Sequence, residues 1–156
     1  MRRTDREVKG YEAIIDILNR CNTIRLGING SEYPYVVPLS FGFETVNKKI
    51  TFYIHGAQEG LKHDLIAKNN KVCVEASIFH GFAELPQQNA LTTEYESVIG
   101  FGKAEIVGGS EAVKGLNLIC EHAGFKNFEY GGKKALNVTR VYKIEIEKFT
   151  GKRRFV

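Results

Sequence analysis

The sequence predicts a mainly β fold (α+β), a six-stranded antiparallel barrel with peripheral helices. Segments of alternating apolar and polar residues recur along the chain, and most follow one another through short turns. Only a few stretches carry helical periodicity, which is too few for a doubly wound parallel sheet. Because 156 residues with 43% hydrophobic composition suit one compact core, we predict a single domain over residues 1–156.

The first third of the chain predicts a helix followed by three strands. Thr4 and Glu7 have the spacing of a capping box, and apolar residues then recur on one face of a helix from about Asp5 to Asn19. Pro38 cannot donate to a β-ladder, so it indicates a sheet edge or a bulge in the second strand. The three strands are "TIRLGING" (23–30), "YVVPLSFGF" (35–43) and "ITFYIH" (50–55).

The remainder predicts two further helices and three strands. Gly100 and Gly102 lie within the long fifth strand and indicate curvature or a close backbone approach. Two polar segments, 80–92 and 125–137, are predicted to be irregular. The ordered segments are the helices "GLKHDLIAKN" and "SEAVKGLNLICEHAG" and the strands "KVCVEASIF", "EYESVIGFGKAEIV" and "VTRVYKIEIEKFTGK".

Composition and motifs exclude several classes of protein. The net charge of +4 includes five basic residues near the two ends; without them 17 basic residues face 18 acidic ones, so we expect no nucleic-acid binding. No apolar stretch is long enough to cross a bilayer, so we expect a cytoplasmic protein with no membrane partner. The three cysteines show no CxxC spacing and the histidines no HExxH, so neither a disulfide framework nor a metal site is expected.

The stretch "YIHGAQEGLKHDL", residues 53–65, joins an apolar strand to a helix through small residues. Exposed amides at a helix N-terminus carry partial positive charge, and Lys62 in the first turn adds a full one, so the stretch can hold a phosphate monoester. It matches neither the P-loop nor the GxGxxG pattern. The alternative is a tight turn with a solvated lysine, and the stretch alone does not decide between the two.

Three segments in this order resemble the pyridoxamine 5′-phosphate oxidase-related superfamily of FMN-binding split barrels. They are "PYVVPLSFGF", "ITFYIHGAQEGLKHDLIAKNNKVCVEAS" and "YESVIGFGKAEIV". Within that superfamily the chain is most similar to the small nitroimidazole-resistance proteins. The resemblance implies a split β-barrel that forms a homodimer with FMN at the subunit interface.

The resemblance also implies which residues bind the cofactor. Gly60 and Lys62 match phosphate-binding positions, and Ser97 and Val98 match positions that reach the cofactor from the partner subunit. The remaining implied contacts are Val37, Pro38, Leu39 and Ser40 along the isoalloxazine edge, Tyr53, Ile54 and His55 beside the ring and ribityl chain, and Ala57 in the loop.

The activity that follows is FMN-dependent reduction of a small electrophile, for example a nitroaromatic such as a nitroimidazole. His55 is a candidate proton donor, or else a hydrogen-bonding group that only positions the cofactor. Tyr53, Tyr95 and Phe101 either line the substrate side or belong to the barrel core. Two alternatives are a non-catalytic module that binds flavin or haem, and a deazaflavin protein. Oxidation of pyridoxamine or pyridoxine 5′-phosphate is disfavoured, because Val37 stands where those oxidases carry arginine.

Overall fold

The computed structural model describes residues 2–128 and 136–156, which form one antiparallel sheet with helices at its periphery. The α-helices that lie wholly within these ranges are α1 Tyr11–Arg20, α2 Leu61–Lys68 and α3 Gly109–His122. The strands are β1 Ile24–Ile28, β2 Tyr35–Leu39, β3 Phe41–Val46, β4 Lys49–Ala57, β5 Lys71–Leu85, β6 Ala90–Val107 and β7 Thr139–Arg154.

The sheet has the strand order β2-β1-β5-β6-β7-β4-β3, and every neighbouring pair is antiparallel. Strands β2 and β3 lie at opposite ends of this order, yet only Ser40 separates them in the chain. The two ends of the sheet therefore meet at Ser40 without pairing, which is the geometry of a split barrel. Pro38 lies in the end strand β2, so its predicted edge position is confirmed.

The strand count differs from the predicted six because "YVVPLSFGF" is two strands, β2 and β3, that part at Ser40. Segment 80–92 is also not irregular. Strands β5 and β6 continue through it as a long hairpin that turns at Pro86–Gln88, with a bulge between Phe79 and Gly81. The bulge shifts the register by one residue, and beyond it the polar side chains lie on solvent-exposed faces.

The first helix begins later than predicted. Thr4–Arg6 forms only one turn of 3₁₀ helix without a side-chain cap, and α1 starts at Tyr11. Gly10 has a φ of 95° and turns the chain immediately before the helix. The capping-box spacing was therefore a wrong guide to this boundary.

Strand β4, which leads to the candidate site, is buried on both faces. Phe52 and Ile54 face the main core inside the barrel. Tyr53 faces a smaller core beneath α3, together with Val141 of β7. The main core is completed by residues of α1 and the neighbouring strands, among them Ile17, Leu18, Ile24, Leu26, Phe41, Val74, Val98 and Ile144.

The glycines of the fifth predicted strand behave as expected. The register between β6 and β7 shifts between Phe101 and Gly102. A Cβ at Gly102 would lie 2.1 Å from the carbonyl oxygen of Glu145. The close backbone approach predicted for this strand is therefore confirmed.

The cysteines Cys21, Cys73 and Cys120 are all free thiols. Only Cys21 is fully buried, and the other two are partly exposed. Within the described ranges no helix is long and apolar enough to cross a membrane.

Candidate functional site

The site is built where β4 ends and α2 begins. Gly60 has a φ of 141°, which turns the chain into the helix, and its carbonyl accepts a 2.9 Å hydrogen bond from the backbone amide of His63. Strand β3 pairs with β4 only as far as Ile54. The last residues of β4, His55 to Ala57, pair with β7 alone. One edge of the backbone is therefore open there.

Lys62 is folded back onto this open edge. Its side chain is buried, with the residue only 9% exposed, and its Nζ lies 3.4 Å from the carbonyl oxygen of His55. A Cβ at Gly56 would lie 2.6 Å from the same Nζ. Glycine at position 56 therefore leaves the space that the ammonium group occupies.

The Lys62 ammonium has no counter-ion among residues 2–128 and 136–156. Its only hydrogen bond is the long one to the His55 carbonyl, and none of the salt bridges includes it. Burial lowers the pKa of Lys62. Burying an unpaired charge is costly unless a ligand completes its contacts. The geometry therefore favours an anion site over a turn with a solvated lysine.

Next to Lys62, His63 and Tyr142 form a buried pair that sequence reasoning missed. His63 is 5% exposed, and its Nδ1 lies 2.8 Å from the hydroxyl of Tyr142, with the two rings stacked at 11°. Burial lowers the pKa of His63, and the charges of Lys62 and Arg140 lower it further. The imidazole is therefore neutral at pH 7 and stiffens the wall of the site without adding charge.

Arg140 is the second cation of the site, and it too was missed. It pairs with Gly56 across β4 and β7, and directly opposed residues of an antiparallel pair share one face. Its side chain therefore leaves the sheet on the face that carries the Lys62 ammonium. No carboxylate in the described part of the chain forms a salt bridge with it. The sequence feature that could have indicated Arg140 is that it is the one charged member of the otherwise apolar alternating series Arg140, Tyr142, Ile144.

His55 lies at the same end of β4, but alternation along the strand places its side chain on the face of Tyr53. Its Nδ1 is buried and has no hydrogen-bond partner among the described residues. Burial lowers the pKa of His55, and the nearby Lys62 lowers it further. A buried ring nitrogen without a partner at this end of β4 is a second indication of a polar ligand.

The structure brings most of the predicted cofactor residues together within one chain. Phe41 pairs with Ile54, so Ser40 lies beside the end of β4, and Val37, Pro38 and Leu39 follow along β2. Ala57 and Gly60 lie in the turn that leads to Lys62.

The side chain of Tyr53 is placed differently, and Ser97 and Val98 are the two residues predicted to reach the cofactor from the partner subunit. The Tyr53 side chain is 1% exposed and donates a 2.9 Å hydrogen bond to Glu44, so it belongs to the core and only its main chain can face a ligand. Ser97 and Val98 lie on β6. On that strand Ile106 pairs with Tyr142 of β7, which in turn pairs with Ile54 of β4 at the candidate site. Nine residues of strand separate Ser97 from that level, roughly 30 Å. These two positions therefore do not join the site within one chain.

The sequence left open whether Tyr95 and Phe101 line the substrate side or belong to the barrel core. Phe101 is 44% exposed beneath the Lys148 ammonium. Tyr95 is partly buried, with the Lys152 ammonium over its ring. Neither residue is part of the barrel core.

The comparisons agree with this fold. The family model of pyridoxamine 5′-phosphate oxidase matches residues 11–153, and the chain belongs to this family. A candidate 5-nitroimidazole antibiotic resistance protein from Bacteroides thetaiotaomicron superposes with a TM-score of 0.79 at 28% identity, covering 94% of this chain and 85% of that one.

Two further solved structures share the fold at lower identity. The flavocytochrome Anf3 from Azotobacter vinelandii has a TM-score of 0.83 at 18% identity, over 100% of this chain and 72% of that one. An FAD- and haem-binding protein from Mycobacterium smegmatis has a TM-score of 0.82 at 16% identity, over 97% and 74%. No curated protein matches the chain.

Proposed function

We propose that the protein binds FMN and uses it to reduce a small electrophile. The observation that carries this proposal is the buried Lys62 ammonium, which lies over Gly56 with no counter-ion in the described chain. A phosphate monoester supplies two negative charges, and Lys62 and Arg140 supply two positive ones on the same face. FMN ends in such a group, and membership of the pyridoxamine 5′-phosphate oxidase family supports this choice of ligand.

The residues present fit the rest of the cofactor. Main-chain groups of β4 beyond Ile54 lack a β3 partner and can bond to the ribityl chain. Val37, Pro38, Leu39 and Ser40 run beside them, and all but Ser40 belong to the end strand β2, whose outer edge has no neighbouring strand in the described sheet. Bound FMN would supply the electron transfer, while the protein positions it, shields it and forms its hydrogen bonds.

The proposed substrate is a nitroaromatic compound of the nitroimidazole type. The Bacteroides structure, a candidate 5-nitroimidazole resistance protein, supports this choice at 28% identity. Val37 is apolar where oxidases of vitamin B6 phosphates carry arginine, which argues against those substrates. The free thiols are compatible with the reducing cytoplasm, which we propose as the location.

We further propose that two copies form a homodimer that completes the site. Ser97 shares the outer face of β6 with Ile99 and Phe101, which are 38% and 44% exposed. Exposed apolar residues in a row are typical of an interface. Sedimentation of the wild type should give a dimer, and Phe101→Asp should give a monomer, whereas Phe125→Asp, at an exposed residue after α3, should leave the dimer intact. A monomer that binds FMN fully would refute this arrangement.

The first test is the visible spectrum of the purified protein and the fluorescence of flavin released on denaturation. Titration of flavin-free protein with FMN, FAD and riboflavin should show FMN bound most tightly, because only FMN ends in a dianionic phosphate. A protein that neither carries flavin nor quenches FMN fluorescence would overturn the proposal.

The second test separates an enzyme from a binding module. FMN-loaded protein is reduced anaerobically with dithionite and then mixed with metronidazole, while the oxidised form is mixed anaerobically with pyridoxine 5′-phosphate, which should not bleach the flavin. Flavin re-oxidation by metronidazole faster than that of free reduced FMN supports reduction of nitro compounds. Re-oxidation no faster than free FMN would leave a flavin-binding module without this turnover.

A further inference from the structure

The fold brings the basic residues of both termini together on the outer face of β6 and β7. The amide of Val8 donates a 3.0 Å hydrogen bond to the carbonyl of Gly151, and Glu7 forms an isolated β-bridge with Lys152. These contacts hold the N-terminal segment along the end of β7. Arg6 is thereby carried to residues that lie almost 150 positions further along the sequence.

Tyr95 is at the centre of this cluster. On β7, Arg154 is directly opposite Tyr95, and Lys152 is opposite Ser97, so these four side chains share the outer face. The Nζ of Lys152 lies 5.8 Å from the centre of the Tyr95 ring. Burial by itself raises the pKa of Tyr95, but Lys152 and Arg6 beside the phenol oxygen outweigh it and lower that pKa overall.

The cations of this cluster are poorly neutralised. Arg3 holds both carboxylate oxygens of Asp5 at 2.7 and 2.6 Å, which leaves Arg6 only a 3.9 Å contact with the same carboxylate. Neither Lys152 nor Arg154 forms a salt bridge within the part of the chain that is described.

Two guanidinium nitrogens in the cluster are both buried and unbonded. They are the Nε atoms of Arg6 and Arg154, which have no hydrogen-bond partner among the described residues. A buried N–H without an acceptor is costly, and each such group in a native protein calls for a missing partner. An oxyanion held between the two arginines would supply it.

We propose that Arg6, Lys152 and Arg154 form, around the hydroxyl of Tyr95, a binding site for a phosphate or carboxylate group of a small molecule. Two guanidinium groups and one ammonium group provide charge-assisted donors, and the phenol adds a neutral one. Within one chain this site is separate from the Lys62 site, which lies at the far end of β4. The face that carries it also carries Ser97, which the proposed dimer brings to the cofactor of the partner subunit.

Inorganic phosphate is the probe for the test. Isotope-labelled full-length protein is titrated with phosphate, and with sodium chloride at matched ionic strength, while the backbone amides of Tyr95 and Lys152 are followed by NMR. Residues near Lys62 report separately on the other site. We expect saturable shifts at both sites, and Lys152→Gln should weaken binding at the Tyr95 site by roughly 10- to 100-fold.

Arg153→Gln is the matched control. It removes one positive charge from the adjacent position, whose side chain leaves the opposite face of β7. Equal losses in the two variants would mean that only net charge matters and would overturn the proposal, as would the absence of phosphate-specific shifts. Arg6→Gln lies outside the sheet and repeats the test if Lys152→Gln fails to fold.

Two sources of the anion are separated by comparing flavins. If Lys152→Gln weakens FAD but not FMN, the site takes the second phosphate of a dinucleotide held by the partner subunit of the proposed dimer, because the two sites of one chain lie too far apart to share one pyrophosphate. If phosphate binding is lost while both flavins bind as before, the anion belongs to a separate small molecule. Both results support the site and identify its ligand.

Discussion

Replacing Lys62 with methionine should change the stability of the flavin-free protein and its affinity for FMN in opposite directions. Methionine keeps the length of the side chain and removes the charge. Lys62 is 9% exposed, and its ammonium has one 3.4 Å hydrogen bond in the described chain. Because a buried charge without a counter-ion is destabilising, we expect the variant to be about 1–3 kcal/mol more stable without flavin.

The same substitution removes the charged donor to the phosphate of FMN. The loss of a hydrogen bond to a charged group costs about 1.5–3 kcal/mol, so FMN affinity should fall roughly 10- to 100-fold. Riboflavin, which has no phosphate, should bind the two proteins alike. Urea unfolding measures the stability, and fluorescence titration measures the affinities.

The pH dependence of stability gives an independent check. The pKa of Lys62 is lowered in the folded protein, whereas the unfolded chain has the ordinary value of 10.5. Between these values unfolding takes up a proton, so the wild type gains stability as the pH rises. The advantage of Lys62→Met should therefore be greatest below the folded pKa and disappear towards pH 10.5.

Lys68→Met is the control, because Lys68 is exposed at the end of the same helix. It should change stability by no more than about 0.5 kcal/mol and leave FMN affinity unaltered. If Lys62→Met destabilises the flavin-free protein and still binds FMN as tightly as the wild type does, the ammonium is structural and the anion site does not exist.

Three further predictions concern the wall of the site. Arg140→Gln should weaken FMN but not riboflavin in calorimetric titrations, and equal weakening of both would remove Arg140 from the phosphate contacts. Tyr142→Phe leaves the buried Nδ1 of His63 without its 2.8 Å partner, so urea unfolding should show a loss of about 1–3 kcal/mol. The pKa of His63 is lowered by burial and by nearby cations, so unfolding takes up a proton below pH 6.5 and stability should fall there. His63→Gln should show a shallower fall, and an unchanged slope would contradict a buried neutral imidazole.

The strands could be predicted wherever one of their faces is buried, because alternation reports burial. Strands β1 and β5 bury alternate residues over most of their paired length and were recognised from their pattern. The far part of the β5–β6 hairpin has no buried residue: Phe82 and Leu91 on one face are 75% and 73% exposed, and Ala83 and Leu85 on the other are intermediate. No periodic pattern is required there, so the segment looked irregular although its backbone pairs continuously to Leu85 and Ala90.

The part of the site formed by residues close together in the sequence could also be predicted, and the part formed by residues far apart in the sequence could not. Gly60 and Lys62 belong to one strand-turn-helix unit, where the sequence itself places a cation in the first turn of the helix. Arg140 and Tyr142 reach the same place only because β7 pairs with β4, and 79 positions separate Tyr142 from His63. The burial of the Lys62 ammonium likewise depends on packing that a single sequence does not display.

The role of His55, which the sequence left open, can be argued from its surroundings. Burial and the Lys62 charge both lower its pKa, so the imidazole is neutral at pH 7 and is a poor proton donor there. Its buried, unbonded Nδ1 favours a hydrogen bond to the cofactor instead.

We therefore expect His55→Asn to weaken FMN binding while leaving the pH profile of metronidazole reduction unchanged in shape. A proton donor predicts the reverse, with FMN binding retained and an ionisation lost from the rate profile between pH 5 and 8. Measuring both quantities on one variant decides between the two roles, because an imidazole that only bonds to the flavin cannot shape the profile through its own titration.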